Sequence, residues 1–162
     1  MAVMAQEYPS RAIRVIVPYG AGGSSDGPMR VIAQDLSRRL GHQVVVENKP
    51  GQGAMLGSEA AVKAPADGYT LMMTTVAVHA INPGLYKSQK FHPINDFTPM
   101  ALIGSYPMIM IASPNTTFRT LAELKELSAK SPTFYASSGV GPPGHLSGRF
   151  FSPVSITSSG VP

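Results

Sequence analysis

Between an apolar run that ends at Tyr19 and a helical repeat that begins near Met29, the chain places Gly20-Ala21-Gly22-Gly23-Ser24-Ser25-Asp26. Glycine has no Cβ, so a ligand can come close to the main chain there. The first N–H groups of the helix that follows lack intrahelical acceptors and carry about half a positive charge. The chemistry on offer is the holding of an anion by peptide nitrogens. Two nucleotide templates are not met, because Gly20-x-Gly22-x-x-Ser25 lacks the third glycine of a dinucleotide loop and no Gly-Lys-Ser/Thr follows. Two readings stay open on physical grounds, a carboxylate or other small anion as guest, and a tight structural turn.

A second turn of the same kind runs through Tyr135-Ala136-Ser137-Ser138-Gly139 and on to Gly141, Pro142, Pro143 and Gly144, with His145 opening the next helix. Ser137 and Ser138 offer hydroxyl and amide donors, and the plain use of such serines is helix capping. One such turn in each of two lobes can face the other across a cleft.

Other chemistries find less support. There is no Gly-x-Ser-x-Gly elbow, and no Ser-His-Asp set can be assigned from scattered residues. His42, His79, His92 and His145 are far apart with no metal-ligand spacing, and cysteine is absent, which removes disulfides and thiolate metal sites. No cofactor is expected, and the chain reads as a binder, not an enzyme.

Hydrophobic residues make up 43% and charged residues 14%, a composition that folds. The formal charge of +4 is spread singly, with Arg38 and Arg39 the nearest to a cluster, so nucleic acid is not expected as a partner. No apolar run approaches the roughly 20 residues of a membrane span. Ala2-Val3-Met4-Ala5-Gln6 has the small-residue spacing of a signal-peptide cleavage site, and the expectation is a periplasmic protein whose export signal is missing from this chain.

The elements that must carry the two turns follow from periodicity. Residues 12–19 are β-branched and apolar, the pattern of a strand covered on both faces in a parallel sheet. Met29, Ile32, Ala33, Leu36 and Leu40 repeat at helical spacing, with Asp26 expected as the helix cap and Gly41 as its end. Strands are expected over 44–47 and 69–74, with a short helix over 58–63 between them. That order predicts a parallel, doubly wound α/β lobe. Apolar segments at 97–103 and 108–112 flank Gly104-Ser105-Tyr106-Pro107, where the chain can bend. Thr120 and Glu123 form a capping box for a helix to about Lys130, a strand follows at 133–136, and another helix begins at His145. Met72, Met73, Met108 and Met110 read as core fillers.

Several segments in this order resemble the tripartite tricarboxylate transporter substrate-binding receptors, the Bug family of periplasmic solute-binding proteins. They are Tyr8-Pro-Ser-Arg-Ala-Ile-Arg-Val-Ile-Val-Pro18, the Gly22-Gly23 and Asp26 turn, Val44-Val-Val-Glu-Asn-Lys-Pro-Gly51, Ala64-Pro-Ala-Asp-Gly-Tyr-Thr-Leu71, Ile81-Asn-Pro83 with Leu85-Tyr86, and Tyr135-Ala-Ser-Ser-Gly139 with His145-Leu146. The resemblance implies a type II periplasmic-binding-protein-like α/β fold that closes on a small carboxylate and delivers it to membrane permease subunits. It implies a first lobe over 8–103, the start of a second over 104–151, and an unmatched, disordered tail over 152–162. It places the carboxylate against Tyr19, Gly20, Ala21, Gly22, Gly23 and Ser24, with Asp26 ordering the turn and capping the helix. Thr75, Val76 and Ala77 would line the same cleft, and Ser137, Ser138, Gly139 and His145 would close it from the second lobe. Because the family's chains are nearly twice as long, the expectation is a truncated receptor with uncovered apolar faces and possible self-association. An α/β enzyme binding phosphate in the Gly-rich turn and a non-functional fragment are the alternatives.

Overall fold

The computed structural model describes residues 7–131, 134–137, 142–151 and 158–160. The chain divides into two compact units, Met1–Thr98 and Pro99–Pro162.

In the first unit, β1 (Ile13–Val17) lies at the centre of a three-stranded parallel sheet between β2 (Val44–Asn48) and β3 (Thr70–Met72). The register sets Ile13 beside Val44, Val17 beside Asn48 and Ile16 beside Met72. A middle strand is covered on both sides, which is why β1 is nearly all β-branched and apolar. Helix α1 (Asp26–Leu40) crosses from β1 to β2 and buries Met29 and Ala33 against Ile13, Val15, Val17 and Val44. Ile32, Leu36 and Leu40 pack at the margin of this cluster, as their spacing predicts, and Gly41 ends the helix in the left-handed region at φ 68°.

The connection from β2 to β3 differs in its bounds from the expected short helix. A 3-10 turn (Gln52–Ala54) leads into α2 (Met55–Val62), which starts three residues before Ser58 and buries Ala54 and Met55 at its entry. These two pack with Val78 and Phe91 in a second buried cluster, joined by Tyr19, Val62, Tyr86 and Phe97. After β3, a wide helical turn (Ala77–Ile81) runs into α3 (Asn82–Leu85). Asn82 is fully buried, and its Nδ2 donates to the Gly53 carbonyl at 2.7 Å, tying the two connections together.

In the second unit, residues 99–111 carry no helix or strand, and Met100, Leu102, Ile109 and Ile111 are exposed. Helix α4 (Leu121–Lys130) is fixed by the capping box expected from the sequence: Thr120 Oγ1 accepts from the Glu123 amide, and Glu123 Oε2 accepts from the Thr120 amide. Strand β4 (Tyr135–Ser137) is followed by α5 (Pro143–Phe151), and the Tyr135 hydroxyl donates to the His145 carbonyl at 2.9 Å. One short strand falls within 152–162, the segment expected as an unmatched, disordered tail. β5 (Ser158–Gly160) pairs in parallel with β4, giving three residues of the tail main-chain partners that composition alone does not reveal.

Candidate functional site

The first Gly-rich turn sits at the carboxyl end of β1, the edge of a parallel sheet where open α/β folds bind ligands. Pro18 is fully buried and anchors the turn, while residues 20–24 are exposed. Gly22 takes φ 79°, a conformation that L side chains rarely adopt, and its amide donates to Asp26 Oδ2 at 2.7 Å. The turn closes on its own carbonyls: Gly23 N–H reaches Gly20 O, and the amides of Asp26 and Gly27 both reach Gly23 O at 3.1 Å. The amides of Gly20 and Ala21 meet no acceptor among the described residues.

Asp26 orders this turn, but it does not cap α1. Ser25 occupies the cap position with no side-chain cap bond, and Asp26 is the first helical residue, its carboxylate directed back over the turn. The reason is competition among donors. Oδ2 accepts from Gly22 N–H and from Arg30 Nε at 2.9 Å, and Oδ1 accepts from Asn48 Nδ2 at 2.9 Å. With three donors on it and 2% exposure, the group is closed to a ligand. The Arg30 hydrogen bond, then those from Gly22 and Asn48, lower its pKa to about 2.

Arg30 and Asn48 complete a closed network that the sequence reading did not single out. Arg30 Nη2 donates to Asn48 Oδ1 at 2.7 Å, and Asn48 Nδ2 also donates to the Tyr19 carbonyl at 3.0 Å. Arg30 carried a signal, since it lies four residues after Asp26 on one helix face. Asn48 carried none that a linear reading can use; only the β1–β2 register brings it beside the end of β1.

Thr75 stands at the same edge after β3. Its hydroxyl is 2.5 Å from the Tyr19 hydroxyl and accepts the Ala77 amide at 3.3 Å, so it joins two connections and starts the turn after it. Val76 is exposed beside it, whereas Ala77 is buried. Thus Tyr19, Gly20, Ala21, Gly22, Gly23, Ser24, Thr75 and Val76 share one edge of the first unit. In the second unit, Ser137 ends β4 and His145 lies in the first turn of α5, with its amide on the Pro142 carbonyl. Ser138 and Gly139 lie outside the described residues.

A parallel β2-β1-β3 sheet with an amide-rich turn at its carboxyl edge fits many folds, and comparison with known proteins narrows it. The sequence profile of the tripartite tricarboxylate transporter family receptor, TctC, matches residues 29–155. The chain belongs to the TctC receptor family. BugT of Bordetella pertussis is 33% identical over 152 residues, covering 92% of this chain and 47% of BugT. An Agrobacterium vitis family protein is 37% identical over 144 residues, 88% of this chain and 41% of its own. Among solved TctC-like structures, R. palustris Rpa4515 with adipate superposes with a TM-score of 0.89 at 31% identity, over 96% of this chain and 54% of that one. The periplasmic binding protein BugD gives 0.84 at 30%, over 94% of this chain and 52% of BugD. MatC from Rhodopseudomonas palustris with bound malate gives 0.82 at 27%, over 96% and 54%. The fold is therefore periplasmic-binding-protein-like, and the chain spans about half the length of these relatives.

Proposed function

We propose that this chain serves an extracytoplasmic solute receptor that holds a small carboxylate through backbone amides at the Gly20–Ser24 turn and passes it to membrane permease subunits. The observation that carries the reading is the exposed turn with the Gly20 and Ala21 amides unspent on described protein acceptors, in a fold whose solved neighbours carry adipate and malate. Asp26, Arg30 and Asn48 order the turn instead of touching the guest. Val76 lines the same edge. Its work is binding without turnover. Solved neighbours described as periplasmic support placing it outside the cytoplasm.

Isothermal titration with adipate, malate, a tricarboxylate and an amino acid tests the reading. At least one carboxylate is expected to bind the parent chain and to bind Gly22→Val at least ten-fold more weakly, because valine cannot take the φ 79° that aims the turn. No binding of any of these to the parent chain, or equal binding to Gly22→Val, would overturn it.

A further inference from the structure

We propose that Arg30 is the charge-compensating residue of the carboxylate turn: its guanidinium cancels the buried negative charge of Asp26, which would otherwise repel an anion from the neighbouring peptide nitrogens. The inference rests on the carboxylate reading given above and assigns a role to a side chain that does not touch the guest.

The argument begins from a conflict in the geometry. Asp26 Oδ2 is 2.7 Å from the Gly22 nitrogen, so a full negative charge sits inside the turn whose adjacent Gly20 and Ala21 amides are the free donors. An uncompensated anion at that range opposes a second anion, and the more so because Asp26 is buried away from water. Asn48 and Gly22 satisfy the carboxylate with hydrogen bonds but bring no net charge. Arg30 brings one. Its Nε is 2.9 Å from Asp26 Oδ2 in an i,i+4 ion pair, and its Nη2 grips Asn48 Oδ1, so the planar fork is held at two points. The side chain is 51% exposed, with its charge at the surface of the turn. An arginine that only supported α1 would stiffen the helix and leave anion affinity alone.

Adipate titration of the full chain with three variants separates these roles, with far-UV circular dichroism and melting reporting the fold. Arg30→Gln is expected to bind adipate at least ten-fold more weakly, because the buried Asp26 charge is left uncompensated. Arg30→Lys keeps the charge and is expected to stay within about three-fold of the parent. Asp26→Asn in the Arg30→Gln background removes the repelling charge and is expected to recover most of the lost affinity. A purely structural arginine would give no such recovery. Should Arg30→Gln fail to fold, Arg30→Lys decides, since a ten-fold loss in a folded Arg30→Lys, which keeps the charge, would overturn the assignment. Parent binding with unchanged Arg30→Gln affinity overturns the role of Arg30 and leaves the carboxylate reading intact. Silence of the parent toward adipate, malate, the tricarboxylate and the amino acid overturns both.

Discussion

Asp26 couples the candidate site to acid stability. Its pKa in the folded chain is lowered to about 2, chiefly by the Arg30 hydrogen bond, whereas an aspartate in an unfolded chain titrates near 3.9. A group with a depressed folded pKa binds protons more readily when unfolded, so its stabilising contribution is fully present above about pH 4 and is lost as pH falls through about 2. Melting temperature measured from pH 6 to pH 2 is expected to fall along this limb in the parent chain. Asp26→Asn is expected to start lower and to show a flatter limb, and an identical acid slope in the two would show that the carboxylate is not held as described. At this scale the sequence was informative about type and silent about partner. Gly22 and Asp26 stand out by what they are, but the sequence does not show that the Asp26 carboxylate meets Gly22, Arg30 and Asn48 and leaves the cap position to Ser25.

Helix α2 shows the same division at the level of elements. Glycine in a helix interior ordinarily loses about 1 kcal/mol to alanine, so Gly57 in Met55–Val62 reads as a weakness. Its position explains it. A Cβ at Gly57 would stand 2.7 Å from Pro18 Cβ and 2.8 Å from the Lys49 carbonyl oxygen, both part of the frame that carries the Gly-rich turn. Gly57→Ala is expected to destabilise the first unit by about 1–3 kcal/mol through overpacking, despite the gain in helix propensity. The urea midpoint is the measurement, and a rise in it would contradict the close approach of α2 to β1. Other elements were legible in advance. The spacing of Met29, Ala33 and Leu36 gave α1, and Thr120 with Glu123 gave the start of α4, because both signals are confined to a few adjacent residues. The early start of α2 and the pairing of Ser158–Gly160 with β4 were not, since each depends on a partner elsewhere in the chain.

At the scale of the molecule, the run over 99–111 in the second unit carries no helix or strand. Met100 is 76% exposed, Leu102 89% and Ile111 88%, in a stretch without strand partners among the described residues. Beside it, Met110, Phe118, Leu121 and Leu124 line a cavity of about 420 Å³. An apolar surface of this kind favours association. Sedimentation velocity is expected to show mass rising with concentration, and Leu102→Lys with Ile111→Lys is expected to suppress it. A monodisperse monomer across the range, with one sharp melt, would contradict the expectation.

Taken alone, the amino-acid sequence determined what local interactions can determine: a parallel α/β lobe, the turn after β1, the capping box, and by resemblance the receptor family. Periodicity and turn chemistry act within a few residues, so they survive in a linear reading. The tertiary structure decided which groups complete the turn. Asn48 reaches Asp26 across 22 positions and Thr75 reaches Tyr19 across 56, and only the register of β1 against its neighbours closes those distances. Side chains that far apart leave no spacing to read, because their meeting is a property of the sheet.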